Sequence, residues 1–125
     1  MRLLHTMIRV GDLQRSLNFY TKVLGFKKIR VSDYPNDKFT LAFIQAPSEA
    51  DEENGPMLEL TYNYGVSSYE LGEGYGHIAL AVDCMDTLAE TLQAEGWKFS
   101  WGPGVSPNGK KKMAFIKDPD GYSIE

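Results

Sequence analysis

Two histidines and two glutamates are the residues of this sequence best suited to do chemistry. His5 and His77 are the only histidines in the 125 residues. Glu59 interrupts the apolar run "PMLELTYN", and Glu125 ends the strand-like stretch "MAFIKDPDGYSIE". A carboxylate that faces the interior of a sheet is costly unless it is paired or coordinates a metal, and neutral imidazole is a common ligand of zinc, nickel and cobalt. Two nitrogen and two oxygen ligands would hold a divalent metal and leave positions open for water or substrate.

Taken one at a time, these residues have simpler interpretations. A lone strand histidine is more often an ordinary core or surface residue, and a lone glutamate in "LEL" is usually the solvent-facing member of an alternating strand. What favours metal binding is repetition along the chain. His5 and His77 are 72 residues apart, as are "LAFI" (41–44) and "MAFI" (113–116). Glu59 and Glu125 are 66 apart because the first half has the longer connection, "QAPSEADEENGP" (45–56), where the second has only "DPDG".

The elements that must position His5 and Glu59, the pair in the first half, follow the order strand, helix, strand, strand, strand. Residues 4–10 alternate as in a strand, Asp12 suits a helix N-cap, and Gly25 suits the position just after a helix end. "KKIRVSDY" and "KFTLAFIQ" predict two strands joined by the turn signal at Pro35. The strand that carries Glu59 is the fourth.

The second half repeats this order. "YGHIALAV" predicts a strand, Asp86 an N-cap, and Gly96 the end of a helix, followed by strands at "WKFSW", "KMAFIK" and "YSIE". A unit of about 60 residues cannot easily bury both its helix and its sheet alone, so the two should pair. We therefore predict an α+β fold in one domain, residues 1–125. Two β-α-β-β-β repeats, about 1–65 and 73–125, would form paired curved sheets around a metal-binding cleft.

Composition excludes several classes of function. The net charge of −4 argues against nucleic acid as a partner, and the basic run Lys110–Lys112 is most simply a solvated loop. Cys84 is the only cysteine, so no intrachain disulfide can form. The N-terminus lacks the apolar core of a signal peptide, and no stretch is apolar enough to span a membrane. We expect a cytoplasmic protein with no membrane partner.

The motifs resemble one enzyme family. "LHTMIRVGDLQRSLNFYTKVLGF", "LELTYNYG", "YGHIALAV" and "AFIKDPDGYSIE" are similar to glyoxalase I (lactoylglutathione lyase) of the short bacterial type, in the glyoxalase/bleomycin-resistance/extradiol-dioxygenase superfamily. The resemblance covers nearly the whole chain and assigns the metal ligands to four residues: His5, Glu59, His77 and Glu125. It implies isomerisation of the methylglyoxal–glutathione hemithioacetal to S-D-lactoylglutathione, which detoxifies methylglyoxal.

The resemblance also implies a role for each site residue. Glu125 is the first choice for the catalytic base, and Glu59 is the second. Arg9 lies four residues after His5, and Asn63 four after Glu59, so each shares the strand face of its ligand. Both match positions that the family uses for the glutamyl group of glutathione. Lys110–Lys112 could meet the glycyl carboxylate.

The short form implies nickel first as the metal, with cobalt or zinc possible, and glutathione as the thiol co-substrate. The family implies a homodimer with its active site at the subunit interface, although a monomer could pair its own halves.

Three features depart from the family. Glu73 stands where some relatives have arginine, which could favour a polyamine-conjugated thiol. The sequence ends at Glu125, where the family usually continues, so we expect weaker support for that ligand. The acidic loop 49–53 has no assigned role.

Rival functions on the same architecture remain open. A CoA-thioester epimerase would use the same proton chemistry, but its relatives tend to carry glutamine at the position of Glu59. An extradiol dioxygenase would hold iron with two histidines and one carboxylate, and a fourth ligand would occupy one of its open positions. A non-catalytic drug-sequestering protein would need no metal, which four ligands argue against.

Overall fold

The computed structural model describes residues 1–48 and 53–125, and it consists of two units, Met1–Glu70 and Leu71–Glu125. Each unit contains a helical segment and one sheet. The predicted α+β class is therefore confirmed. The predicted acidic loop 49–53 lies outside the described residues except for Glu53.

The first unit is built on a four-stranded sheet. Its strands are β1 (His5–Arg9), β2 (Lys27–Tyr34), β3 (Phe39–Gln45) and β4 (Met57–Asn63), and they lie in the order β1-β4-β3-β2. β1 runs parallel to β4, and the other two pairings are antiparallel. All four predicted strands are confirmed, with bounds that differ by one or two residues at most at either end.

The register of this sheet separates its two faces. Residues opposite one another across neighbouring strands point to the same side of a sheet. Leu60 of β4 lies opposite Ile8 of β1 and Ala42 of β3, and all three are buried. The helical segment supplies further buried side chains, Leu17 and Tyr20 among them. The apolar face is therefore the core, and the other face carries the polar residues of the candidate site.

The helical segment of the first unit has two parts. Helix α1 (Leu13–Asn18) begins at the predicted N-cap, since the Asp12 carboxylate accepts a 3.0 Å hydrogen bond from the Arg15 N–H. It continues as a π-helical turn over Phe19–Val23, where the sequence predicts an ordinary helix. A π turn accommodates one extra residue. This explains why Gly25 and Gly96, which both follow helix ends with positive φ, are 71 rather than 72 residues apart.

The second unit has a shorter sheet. Helix α2 (Met85–Ala94) is followed by β5 (Trp101–Val105), β6 (Lys112–Lys117) and β7 (Ser123–Ile124), which pair antiparallel in that order. The strand predicted for "KMAFIK" is confirmed to the residue. The "DPDG" turn is also confirmed, because the Gly121 N–H donates to the Asp118 carbonyl oxygen at 2.9 Å.

The strand predicted for "YGHIALAV" is wrong in extent. Within residues 71–125, this segment contributes only an isolated parallel bridge between Ile78 and Ile124. Its backbone still bonds the end of the chain: Ile78 N–H donates to Ser123 O at 3.3 Å, and Leu80 N–H to Glu125 O at 2.8 Å. β7 is two residues long, so it offers too little edge for a regular ladder.

Two boundaries in the second unit also differ from expectation. The N-cap of α2 is Cys84 rather than Asp86, which lies in the first turn. An acidic side chain stabilises the positive end of a helix from either position, so the residue type does not fix the boundary. The strand predicted at "WKFSW" includes only Trp101 of that stretch and runs on to Val105. Its start is set by the partner strand, since Trp101 lies opposite Phe115.

Among the residues that the structure describes, no helix is both long and apolar enough to cross a membrane.

Candidate metal centre

The first histidine–glutamate pair lies on the polar face of the four-stranded sheet. Thr6 of β1 lies opposite Leu58 of β4 across the parallel strand pair. His5 is the residue before Thr6, and Glu59 is the residue after Leu58. The two side chains meet with His5 Nε2 2.8 Å from Glu59 Oε2. The Glu59 side chain is 13% exposed, and its other oxygen accepts a 3.3 Å hydrogen bond from the Thr61 hydroxyl. This carboxylate is therefore held from two sides.

The second pair repeats this arrangement in the other unit. Ile78 and Ile124 are bridge partners. His77 is the residue before Ile78, and Glu125 is the residue after Ile124. His77 Nε2 lies 3.2 Å from Glu125 Oε2, and the Glu125 side chain is 34% exposed. Ile78 follows Thr6 by 72 residues, and Ile124 follows Leu58 by 66, the same offsets that relate the histidines and the glutamates. The same backbone register thus generates both pairs.

Glu125 is supported through its backbone. Its N–H donates to the Ile78 carbonyl oxygen at 2.8 Å, and its carbonyl oxygen accepts from Leu80 at 2.8 Å. The residues before it are also tied down. The buried Asp118 carboxylate accepts hydrogen bonds from the N–H groups of Asp120 at 3.0 Å and Tyr122 at 2.9 Å. The backbone at Glu125 is therefore held rather than frayed, contrary to expectation, because the segment around Ile78 bonds the terminal strand even without forming a regular one.

Two aromatic residues next to the histidines were missed by the sequence reasoning. The His5 ring contacts the Phe43 ring at a centroid distance of 5.4 Å, and the His77 ring contacts Phe115 at 5.5 Å. A signal for them was present, since Phe43 and Phe115 are the phenylalanines of "LAFI" and "MAFI" and also lie 72 residues apart.

The predicted substrate-binding residues of the first unit lie on the polar face with the first pair. Arg9 in β1 is exposed and lies opposite Thr61, two residues after Glu59. Asn63 ends β4, and its amide Nδ2 donates a 3.0 Å hydrogen bond to the Tyr69 hydroxyl. Tyr69 was not singled out from the sequence, because the connection between β4 and the second half carries no periodic pattern that would place it.

The other candidate residues are exposed and belong to the second unit. Glu73 lies in the segment that leads to His77. Lys110–Lys112 follow a tight loop in which the Ser106 hydroxyl donates to the Asn108 side-chain oxygen at 2.7 Å and the Lys110 N–H donates to the same oxygen at 3.1 Å. The lysines are thus presented to solvent by an ordered loop.

The donor geometry of each pair fits a divalent metal. Metal bonds of about 2.0–2.2 Å to imidazole nitrogen and carboxylate oxygen put neighbouring ligand atoms roughly 2.8–3.5 Å apart, for angles between octahedral and tetrahedral. The separations of 2.8 Å and 3.2 Å between nitrogen and oxygen lie in this range. Each pair would supply a metal with two ligands only, since residues 1–48 and 53–125 contain no group of three or more His, Cys, Asp or Glu side chains placed to hold an ion.

Comparison with known sequences defines the family. Residues 2–125 match the Glyoxalase/Bleomycin resistance protein/Dioxygenase superfamily. The chain belongs to this superfamily, and the fold expected from the sequence is confirmed.

The similar curated proteins are lactoylglutathione lyases. The chain is 51% identical to the lactoylglutathione lyase of Shigella flexneri, over 100% of this chain and 90% of that protein. It is 46% identical to the probable lactoylglutathione lyase of Synechocystis sp., over 100% of this chain and 93% of that one. The resemblance to glyoxalase I is therefore confirmed.

Solved structures agree with this placement. The trypanothione-dependent glyoxalase I of Leishmania major matches with a TM-score of 0.84 and 46% identity, covering 99% of this chain and 84% of that one. Glyoxalase I from Zea mays matches with a TM-score of 0.90 and 42% identity, covering 98% of this chain and 43% of the maize chain.

Proposed function

We propose that this protein is a lactoylglutathione lyase that isomerises the methylglyoxal–glutathione hemithioacetal to S-D-lactoylglutathione and so detoxifies methylglyoxal. The observation that carries the proposal is the repeated pair: one histidine and one glutamate within hydrogen-bond distance in each unit, generated by the same register. Relatives also support the proposal. Over its full length, the chain is 51% identical to a lactoylglutathione lyase and 46% identical to a probable one.

His5, Glu59, His77 and Glu125 are the proposed ligands of one divalent metal, with nickel first and cobalt or zinc as alternatives. When bound, the metal supplies positive charge that stabilises an enediolate. Two histidines and two glutamates leave coordination positions for water or substrate, which suits the octahedral geometry of nickel and cobalt.

A second copy of the chain completes the site in this proposal. His5 and Glu59 of one subunit would act with His77 and Glu125 of the partner subunit, in a homodimer in the cytoplasm. Two facts support it. Each pair offers a metal only two ligands within the described residues, and the maize glyoxalase I chain is more than twice as long as the part that this chain covers.

Glu125 is the proposed base. Its carboxylate is more exposed than that of Glu59 and lies farther from its histidine, 3.2 Å against 2.8 Å. Glu59 also accepts a hydrogen bond from Thr61, so it is the better anchored of the two. In the reaction, the C–H bond next to the carbonyl breaks and the proton passes to the Glu125 carboxylate. The proton then forms a new C–H bond at the neighbouring carbonyl carbon, while the hydroxyl proton of the hemithioacetal passes to the oxygen of that carbon. A thioester and a new hydroxyl group result, so the substrate is isomerised without net oxidation.

Arg9 and Asn63 are proposed to bind the glutamyl group of the thiol. The guanidinium of Arg9 can pair with a carboxylate. The amide nitrogen of Asn63 is committed to Tyr69, which leaves its oxygen to accept from an ammonium group. Lys110–Lys112 offer positive charge for a second carboxylate. Glu73 would repel a carboxylate of the thiol. The Leishmania major glyoxalase I, with 46% identity, is trypanothione-dependent. The experiment below therefore compares the two thiols.

The test is turnover of the methylglyoxal hemithioacetal by metal-stripped protein reconstituted separately with nickel, cobalt and zinc. The expected result is isomerisation to S-D-lactoylglutathione with nickel or cobalt and less with zinc. Hemithioacetals of glutathione and of trypanothione are compared at equal concentration, and light scattering gives the mass of the active species. Stoichiometric metal binding without turnover of either substrate would overturn the proposal.

A further inference from the structure

We propose that Phe43 and Phe115 are positioning residues that fix the ring planes of the two metal-binding histidines. The inference rests on the proposed function for the ligand role of His5 and His77. It assigns a task to two side chains that have no metal-binding atoms of their own.

The same contact occurs twice. The ring planes of His5 and Phe43 cross at 81°, and those of His77 and Phe115 at 73°, so both contacts are edge-to-face. The positions are equivalent in the backbone as well as in sequence. Ile44, after Phe43, lies opposite Leu58, and Ile116, after Phe115, lies opposite Ile124. Phe43 is thus placed by the strand next to β4, which carries Glu59, and Phe115 by the strand next to β7, which Glu125 follows.

A histidine ligand needs such a support because its ring torsion is soft. Metal-binding histidines are usually oriented by a hydrogen bond from the second ring nitrogen to a carboxylate, carbonyl or water. Within the described part of the chain, no protein group forms a hydrogen bond with Nδ1 of His5 or His77. An edge-to-face aromatic contact restricts the same rotation by sterics and quadrupole attraction.

The two phenylalanines differ in what covers them. The guanidinium carbon of Arg30 lies 4.0 Å from the centroid of the Phe43 ring, a cation–π contact. The equivalent residue, 71 positions later, is Trp101, whose ring meets Phe115 at 6.1 Å and 65°. Gly104 leaves room for this indole, since a Cβ there would lie 2.5 Å from the Trp101 ring. Phe43, which contacts His5, therefore packs against a charged group. Phe115, which contacts His77, packs against a neutral aromatic ring.

The experiment measures metal affinity of the full-length protein by competition with a chromophoric chelator, using Ni²⁺ and Zn²⁺ alone. Phe43→Leu and Phe115→Leu are expected to lower affinity about two- to tenfold, the size of an aromatic pair contact. Phe115→Tyr keeps the ring and should bind like the wild type. Phe26→Leu removes a buried phenylalanine away from the pairs, so it should lower thermal stability without changing affinity.

A mutant cycle separates positioning from general packing. Because Arg30 acts on the histidine only through Phe43, Arg30→Met together with Phe43→Leu should bind metal no more weakly than Phe43→Leu alone. Unchanged affinity in both leucine variants, or an equal loss in Phe26→Leu, would overturn the inference and leave the proposed function standing. A wild-type protein that binds neither metal would overturn both.

Discussion

The Tyr75 hydroxyl donates a 2.8 Å hydrogen bond to the carbonyl oxygen of Ser123, two residues before the proposed base. The Tyr75 ring also packs edge-to-face on Tyr122, at 5.0 Å. Burial and the Asp118 carboxylate raise the pKa of Tyr75, which keeps this donor protonated. The contact ties the segment before His77 to β7, because strand pairing between the region around Ile78 and β7 is reduced to one bridge.

Tyr75→Phe is therefore expected to loosen β7 while keeping the ring contact. The loss should be about 0.5–1.5 kcal/mol in the free energy of unfolding, because the Ser123 carbonyl still accepts from Ile78. Metal affinity should fall as well, measured by chelator competition. A variant with wild-type affinity and reduced stability would show that Tyr75 does not support Glu125 as a metal ligand.

Replacing each glutamate by glutamine should separate the base from the ligand. Glu125→Gln is expected to lose about 10²–10⁴-fold in kcat, the usual size of a general-base contribution, while keeping most of its metal. Glu59→Gln should instead lose metal affinity first, because Glu59 is the more anchored carboxylate. Steady-state kinetics at saturating nickel and chelator competition give the two readouts. Glu90→Gln on the exposed face of α2 is the matched control, and full turnover by Glu125→Gln would exclude Glu125 as the base.

Tyr69→Phe should raise KM with little change in kcat. The substitution releases the Asn63 amide from its 3.0 Å hydrogen bond, so the amide no longer presents a fixed acceptor to the thiol. A rise of a few-fold in KM for the glutathione hemithioacetal is expected. Asn63→Ala should cost at least as much, and the double variant no more than Asn63→Ala. Tyr62→Phe is the control, since its hydroxyl accepts only from the Gly65 backbone, at 3.3 Å.

Asp118→Ala should destabilise the turn that leads to β7. The buried carboxylate accepts from two backbone N–H groups, which would lose their partner. The expected cost is about 2 kcal/mol in the free energy of unfolding, from urea titration. Asp118→Asn keeps an oxygen acceptor and should cost less. Equal losses in the two variants would mean that the hydrogen bonds are not the stabilising contribution.

Cys84 is expected to react with iodoacetamide at pH 7 faster than the same thiol does in the urea-unfolded protein. The Thr87 hydroxyl, and then the backbone N–H groups of Thr87 and Asp86, lower the pKa of this exposed thiol at the start of α2. More of it is therefore thiolate at neutral pH. Thr87→Val should slow alkylation, followed by mass spectrometry, whereas Thr91→Val in the last half of α2 should not.

The pattern of the sequence contained much of the fold and of the candidate site. Asp12 and Gly25 bound the first helical segment because capping depends on neighbouring residues. The strands at "KFTLAFIQ" and "KMAFIK" follow from residue type and alternation, which are also local. The histidines and glutamates could be matched because a repeat preserves the offset between equivalent positions.

Other features depended on which residues meet in three dimensions. The bounds of β5 and the reduction of "YGHIALAV" to a bridge were set by partner strands. The contacts of His5 with Phe43 and of Tyr75 with Ser123 join residues 38 and 48 positions apart. Local propensity contains no information on such pairs. The sequence by itself therefore identified the candidate metal-binding residues, and the tertiary structure decided how each is held, because orientation comes from contacts across strands rather than along them.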